Sequence, residues 1–579
     1  MKELIHQKSA ILLIIFCIIL ILSISFGYPR IFLNDEWISA NQLNHLVHSE
    51  NLLYDYEPYG DSGYANSHEN ILSYTLALPI ASLPAYLLFT TLSDNFRIFV
   101  NILWLALILF TLLFIHLYFP KYTIYKNIPW TYGVFGSSLV LFIMNMWLYR
   151  PFLINEYPEM AAITFTNSIL FAGSMVLVFL IFLKVFQNQW WSVFGVVSVI
   201  CGSSYLFWSE VGKDHILTLF FFLISFYFFI SWIHSDSLFH LISSYIGIGW
   251  VAWVRPDVGS GLFILTILSG IVLTFRKGIR NEFKVFFCSL ATLFGAIPLF
   301  LNNYGLTGNI FTTPLAMKYQ AVSDSSVEVL NEMLATNYYA GFPNLIDLPA
   351  ALYHVLFDPV YPYTAGFFQV SPISFLAVFC IGYLVYHIAK KKQFFDSEYE
   401  KMAFIGILFI SMGLILPQVN NIIQLGESKG IVPDIRYLSS LYVPMIMLGL
   451  FFLKKLKLDE FDVKKILESF FWITIITVPL SFIVFQAFIG THMNIQIQAQ
   501  QWINYVFLGI VVAVLILILA KKVKKDVLHY LLPILLVSNL IWFIILGFRF
   551  TNTIVWEHYH FWLPVTNWTR LIFFKIFPW

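Results

Sequence analysis

This chain has 579 residues, of which 59% are hydrophobic and only 11% charged. Soluble domains carry about 25% charged residues, so this composition excludes an ordinary soluble fold. The net charge of +1 gives no basic excess for a nucleic-acid partner. Mean hydropathy is +0.78. Apolar runs long enough to cross a bilayer recur along the whole length. They predict an all-α polytopic membrane protein of roughly 13–15 transmembrane helices, with external amphipathic helices and no large soluble domain.

The chain opens with Lys2 and Lys8 and then an apolar run over 10–26. No small-x-small cleavage site follows, so the run reads as a retained first helix with a cytoplasmic N-terminus. Residues 27–69 form a polar external loop. Helical periodicity over 37–47 predicts an interfacial helix within it. The next apolar segments are 70–92 and 98–119. Lysine and arginine clusters at 276–284, 390–392, 454–465 and 521–525 belong on the cytoplasmic side. Counting back from them puts the turns 150–157 and 209–214 outside and Lys121 and Lys126 inside. The count closes only if 70–92 does not cross fully. Pro79 and Pro84 in that segment suit a re-entrant or strongly kinked element.

The stretch 238–275 is interrupted by Arg255-Pro256-Asp257 and predicts two short helices meeting at depth. Residues 302–370 are rich in Tyr, Pro, Asn and Gly and predict an external loop with one or two short helices. Further external loops are 419–436 and 490–501. The organisation is then a transmembrane module over 1–301, the loop 302–370, a second transmembrane module over 371–548, and an interfacial aromatic tail over 549–579. The four cysteines, Cys17, Cys201, Cys288 and Cys380, lie in apolar runs with no metal-ligand spacing. They read as small core residues.

Charges near a bilayer are costly and mark functional candidates. Here they gather on the external side, which suggests a cleft rather than a path through the membrane. Asp35 and Glu36 are adjacent carboxylates beside the first helix. Partial withdrawal from water and a like-charged neighbour raise a carboxylate's pKa, which suits it to accept a proton from a hydroxyl. The alternative is that they cap the helix starting near Trp37. Glu156 and Glu159 open an apolar helix and share one face. They either orient a substrate or hold a cation, or they answer the helix dipole.

His68 and Glu69 open the proline-containing segment. Lys213 stands in the turn Glu210-Val-Gly-Lys213-Asp214-His215, which also reads as a local ion pair. Lys318 lies in the long loop. Arg255 and Arg436 suit a phosphate, because guanidinium binds it bidentately. The alternatives are an ion pair of Arg255 with Asp257 and interfacial snorkelling of Arg436. Three histidines in the first loop (His45, His48, His68) match no zinc signature.

Read together, the ordered motifs resemble the GT-C superfamily of lipid-sugar-dependent glycosyltransferases, in its protein O-mannosyltransferase and aminoarabinose-transferase branch. The resemblance runs over nearly the whole chain. It rests on Asn34-Asp35-Glu36, Ser67-His68-Glu69, Asn155-Glu156-x-x-Glu159 and Trp253-Val254-Arg255-Pro256. It continues through Asn303-Tyr304 with Gly308-Asn309 and Thr313-Pro314, Gly366-Phe-Phe-x-x-Ser371-Pro372, and Arg436-Tyr437-Leu438 with Pro444. Two departures stand out: the prolines of the second hydrophobic element are shifted inward, and the second acidic position is Glu rather than Asp.

The resemblance implies an inverting glycosyltransferase in the cell membrane with an extracytoplasmic active site. Its donor would be a polyprenyl-phosphate-linked sugar, and its acceptor a hydroxyl on a protein, lipid or glycan. Asp35 would be the general base, with Glu156 the second catalytic carboxylate. Glu36, His68, Glu69, Glu159, Lys213, Arg255, Lys318 and Arg436 would bind substrate. The resemblance fixes no cofactor. If a divalent cation takes part, Asp35 and Glu156 would hold it. The alternative from another class is a transporter or flippase for a lipid-linked saccharide. The breaks here are not paired between two halves as a transporter's would be.

Overall fold

The computed structural model describes residues 2–27, 36–53, 72, 74–119, 124–125, 128–149, 158–275, 282–317, 348–357, 366–415, 436–488, 493–554 and 562–565. The fold is helical, apart from a two-residue antiparallel bridge between Ile124–Tyr125 and Ile128–Pro129. Ten of the described helical spans are long and apolar enough to cross a membrane, and three apolar helices are shorter. The first half comprises α1 (Lys2–Phe26), α2 (Glu36–His48), α3 (Ala77–Leu92), α4 (Phe96–Tyr118), α5 (Trp130–Trp147), α6 (Pro158–Phe186), α7 (Gln189–Cys201), α8 (Tyr205–Ser209), α9 (His215–Ser235), α10 (Leu238–Val254) and α11 (Pro256–Phe275). Then come α12 (Glu282–Ser289), α13 (Ala291–Gly295), α14 (Ile297–Thr307), α15 (Leu348–Phe357), α16 (Phe367–Val370), α17 (Leu376–Ala389), α18 (Glu398–Ile415), α19 (Tyr442–Lys455), α20 (Glu460–Phe488), α21 (Met493–Leu519) and α22 (Leu528–Ile554).

Helix α6 is the ruler of the bundle. Its 29 residues span about 43 Å at 1.5 Å per residue. In its third turn, Ser168 accepts a hydrogen bond from Ser23 of α1 (2.8 Å), and Ser209 of α8 lies 3.0 Å from the same Ser23 hydroxyl. Hydroxyls can pair across helices here because lipid offers them no competing water. At its far end, the Lys184 carbonyl accepts from the Tyr399 hydroxyl at 2.9 Å.

That far end is basic and gathers three of the expected cytoplasmic clusters. The Lys455 ammonium contacts Asp396 and Glu400, both at 3.0 Å. Lys525 and His529 hold Asp462 at 2.6 and 2.9 Å. Asn188, the N-cap of α7, donates to Glu460 at 2.9 Å. Sequence-distant charges therefore share one end, as charge bias along the chain requires. The opposite end carries the starts of α2 and α6.

Helix α3 is the exception to up-and-down crossing. Its N-terminal side is fixed at the acidic end, where the backbone N–H of Leu76 donates to the Asn302 side chain at 2.8 Å. Its C-terminal side is fixed there too. Phe89 packs on Phe165 of α6 (centroids 5.3 Å) and on Trp562 (5.8 Å), and Trp562 donates its N–H to the Gly27 carbonyl at 3.1 Å. Ser93, with φ of 50°, turns the chain into α4. Along α4, Trp104 donates to Ser25 of α1 at 3.0 Å. Helix α4 thus starts near the end of α1, and the contacts at both ends of α3 lie toward the same end of the bundle, the geometry a re-entrant element would have.

The break at Arg255 differs from the expectation. Helices α10 and α11 fold back on each other as a hairpin: Ala252 lies against Gly259, and the Tyr245 and Phe263 rings are 6.5 Å apart. Arg255 is the turn at the acidic end and not a break midway through a crossing. The loop expected from residue 302 also begins later. Helix α14 runs to Thr307 and ends on Gly308, whose φ of +74° suits glycine. Within the tail 549–579, α22 continues to Ile554, and Trp562 is fully buried against α1 and α4.

Candidate functional site at the acidic end

The site is assembled from helix starts and one tight turn. Glu36 begins α2, and Glu159 lies in the first turn of α6, positions where the helix dipole favours a carboxylate. Both are buried, at 0% and 2% exposure. The turn between α8 and α9 is inserted between them. A Cβ at Gly212 would lie 2.5 Å from the Met160 methyl and 3.5 Å from the Glu36 Cβ. With no side chain, Gly212 leaves room for the end of Met160 between α2, α6 and this turn.

The turn is held from below by Asn167 of α6. Its amide donates to the carbonyls of Val211 (2.8 Å) and Lys213 (2.9 Å). A polar amide within an apolar helix was a signal available in the sequence, and it was not singled out there. Lys213 is buried and donates to the Tyr74 hydroxyl at 3.3 Å. The carbonyl of Tyr74 accepts from Gln42 of α2 at 2.7 Å. Tyr74 has no spacing or neighbour that would have marked it in advance. The turn therefore connects α2, α6 and the entry to α3.

Glu210 lies in the same turn and is only 5% exposed. Burial pushes its carboxyl well above the ordinary range. His215 is buried at the start of α9 and packs on Trp208, with ring centroids 4.3 Å apart. Arg255 lies 3.8 Å from Asp214 and 3.5 Å from Asp257. The Asp257 pairing is the one anticipated as an alternative in the sequence. The Asp214 contact ties the α10–α11 hairpin to the same turn.

The structure thus brings the start of α2 with Glu36, the first turn of α6 with Glu159 and the Lys213 turn together around Gly212, with Arg255 joined to that turn through Asp214. Asp35, His68, Glu69, Glu156 and Lys318 lie outside the described residues. Arg436 opens a 3-10 helix (Arg436–Leu441) that leads into α19, as the helix-entry motif predicts, but its side chain also lies outside the described set. The other helix-entry motif is likewise in place. Gly366 precedes α16, its N–H donates to Gln369 at 2.6 Å, and Pro372 opens the short 3-10 helix before α17.

The cation pair considered above, Asp35 and Glu156, is therefore not among the described residues. One described group has ligand-like spacing: Asp462, Asp526 and His529. It sits at the basic end, and its Asp462 already holds the Lys525 ammonium at 2.6 Å.

Fold and site together define a polytopic, all-helical membrane protein with a buried acidic cluster at one end of its bundle. No protein-family model matches the sequence, and no curated protein matches it. Among solved structures, the chain is similar to ArnT from Cupriavidus metallidurans bound to undecaprenyl phosphate. The identity is 11% and the TM-score 0.41, over 94% of this chain and 77% of that one.

Proposed function

We propose that this protein is a GT-C-type inverting glycosyltransferase that uses a polyprenyl-phosphate-linked sugar at the extracytoplasmic face of a cell membrane. The observation that carries the reading is the meeting of Glu36, Glu159 and the Lys213 turn around Gly212. These belong to motifs far apart in the chain, and the resemblance in the sequence assigns them to one site. Asp35 directly precedes Glu36, and Glu156 lies three residues before Glu159. In the proposed site both act beside these two residues.

In the proposed reaction, Asp35 takes the proton from the acceptor hydroxyl. The acceptor oxygen attacks the anomeric carbon from the face opposite the lipid phosphate. The carbon–oxygen bond to phosphate breaks, and polyprenyl phosphate leaves with that electron pair. One attack at that carbon inverts its configuration. Arg436 and Lys318 supply cationic donors to the leaving phosphate. Glu156 orients the acceptor or shares a cation with Asp35. His68 and Glu69 line the mouth of the site.

The test uses the full-length protein in proteoliposomes loaded with polyprenyl-phosphate sugars extracted from membranes. Release of polyprenyl phosphate with an inverted product supports the reading. Asp35→Asn should lower transfer by about a thousandfold while donor binding persists, since a positioned base contributes about 10²–10⁴. Transfer by Asp35→Asn at the unaltered rate would remove Asp35 from the role. Movement of intact lipid-linked sugar between leaflets, without bond cleavage, would favour a flippase.

A further inference from the structure

A second feature lies at the other end of the bundle. Helices α17 and α21 flank a cavity of about 680 Å³, lined among others by Phe379, Gly382, Tyr383, Tyr386, His387 and Lys392. The spans that contain these helices are poorly buried, at 33% and 22%, so their outer faces meet the membrane. Beside Gly382 the groove is open, since a Cβ there would meet nothing within 4 Å. The wall is therefore apolar and aromatic along its length and basic at its rim.

The rim has an unusual construction. Helices α17, α19 and α21 each end with a lysine in left-handed conformation: Lys391 (φ 51°), Lys457 (φ 61°) and Lys521 (φ 56°). Glycine ordinarily fills this position, because a side chain is strained there. In each case the following N–H reaches back five residues: Lys392 to His387, Leu458 to Leu453 and Lys522 to Leu517. Helix ends thus project ammonium groups at the water boundary. Unlike Lys455 and Lys525, Lys392 meets no carboxylate among the described residues. His387 gives its Nδ1 to the Tyr383 carbonyl at 3.0 Å, which leaves Nε2 for a ligand.

We propose that this groove binds a membrane phospholipid with an anionic headgroup, its phosphate at Lys392 and His387 and an acyl chain along Phe379 and Gly382. The charge of the rim selects the headgroup, and the apolar wall selects a lipid over a free anion. Basic residues beside a membrane attract anionic lipid by about fivefold each. The site is separate from the acidic cluster and does not rest on the reaction proposed there.

Native mass spectrometry of the full-length protein, equilibrated with phosphatidylglycerol or phosphatidylcholine in mild detergent, tests this. The protein should retain phosphatidylglycerol over phosphatidylcholine by about fivefold or more. Lys392→Gln, an exposed change, should abolish that preference. Gly382→Trp should fill the groove and abolish retention, with size-exclusion behaviour unchanged. Millimolar inorganic phosphate should not displace the lipid. Equal retention of the two lipids, retention unaffected by Gly382→Trp, or displacement by inorganic phosphate would each overturn the proposal.

Discussion

Trp562 donates its backbone N–H to the carbonyl of Gly27, and its ring fills the space where a Gly27 side chain would stand, 2.6 Å from a Cβ built there. The contact joins the C-terminal region to the end of the first helix. Phe89, Phe96 and Phe165 surround the same indole at centroid distances of 5.8, 5.8 and 6.3 Å. Five chain segments are thereby fixed at one level, including the end of α3 and the start of α4.

That arrangement predicts membrane sidedness. A cysteine at Asp94, between α3 and α4, should react with an impermeant maleimide from the same side as one at Asn51. A cysteine at Lys522 should react only from the other side. The native cysteines are all buried and should give little background. Labelling of Asp94 and Lys522 from one side would show that α3 crosses the membrane.

Close helix crossing predicts a sharp difference between two glycines. At Gly295 a Cβ would lie 2.1 Å from the Ile246 carbonyl oxygen of α10, and backbone cannot yield as a side chain end can. Gly295→Ala should cost about 2 kcal/mol, seen as a lower unfolding temperature in detergent. Gly305, in α14, has nothing within 4 Å of its would-be Cβ. Gly305→Ala should leave stability unchanged or raise it by up to about 1 kcal/mol through helix propensity.

Glu210 predicts a pH effect of definite sign. Its folded pKa is raised above the ordinary value of 4.5, so the folded state holds its proton after the unfolded chain has lost it. Stability should then fall as pH rises above about 4.5, by at most about 1.4 kcal/mol per pH unit from this group. Glu210→Gln cannot ionise and should flatten that decline. Thermal unfolding of both proteins between pH 5 and 8 measures it. Parallel curves would mean that Glu210 is ionised in the fold.

The link between Lys213 and Tyr74 predicts a functional pair. Tyr74→Phe and Lys213→Gln each break the 3.3 Å contact that ties the turn to the entry of α3. Each should lower sugar transfer by about tenfold, with the double variant little worse than either single one, because both remove the same interaction. Fully multiplicative losses would show that the two side chains act separately.

The membrane class, the helical architecture and a helix after the first span were all legible in composition and periodicity, because lipid leaves the backbone few ways to satisfy its hydrogen bonds. Charge bias likewise marked three basic clusters that do share an end. Proline placement at 79 and 84 set α3 apart from the other spans, and the contacts with Asn302, Trp562 and Phe165 fix where its two ends lie in the bundle. The hairpin at Arg255 differs from the break at depth that the sequence predicts. An Arg-Pro step shows that a helix stops, but not whether the chain then continues or returns. That choice is made by the packing of Ala252 on Gly259.

Within the site, sequence named Glu36, Glu159 and Lys213 from their places beside apolar runs. It could not bring them together, nor find Tyr74, Asn167 or the burial that raises the Glu210 pKa. Those depend on distances between α2, α6 and the 209–214 turn, set by side-chain packing around Gly212 across more than a hundred residues of chain. Sequence by itself determined what could enter the membrane and which charges had to stay at its edges. Tertiary structure decided which of those charges meet, because contact between helices depends on shape at each crossing and not on the local pattern that makes a helix.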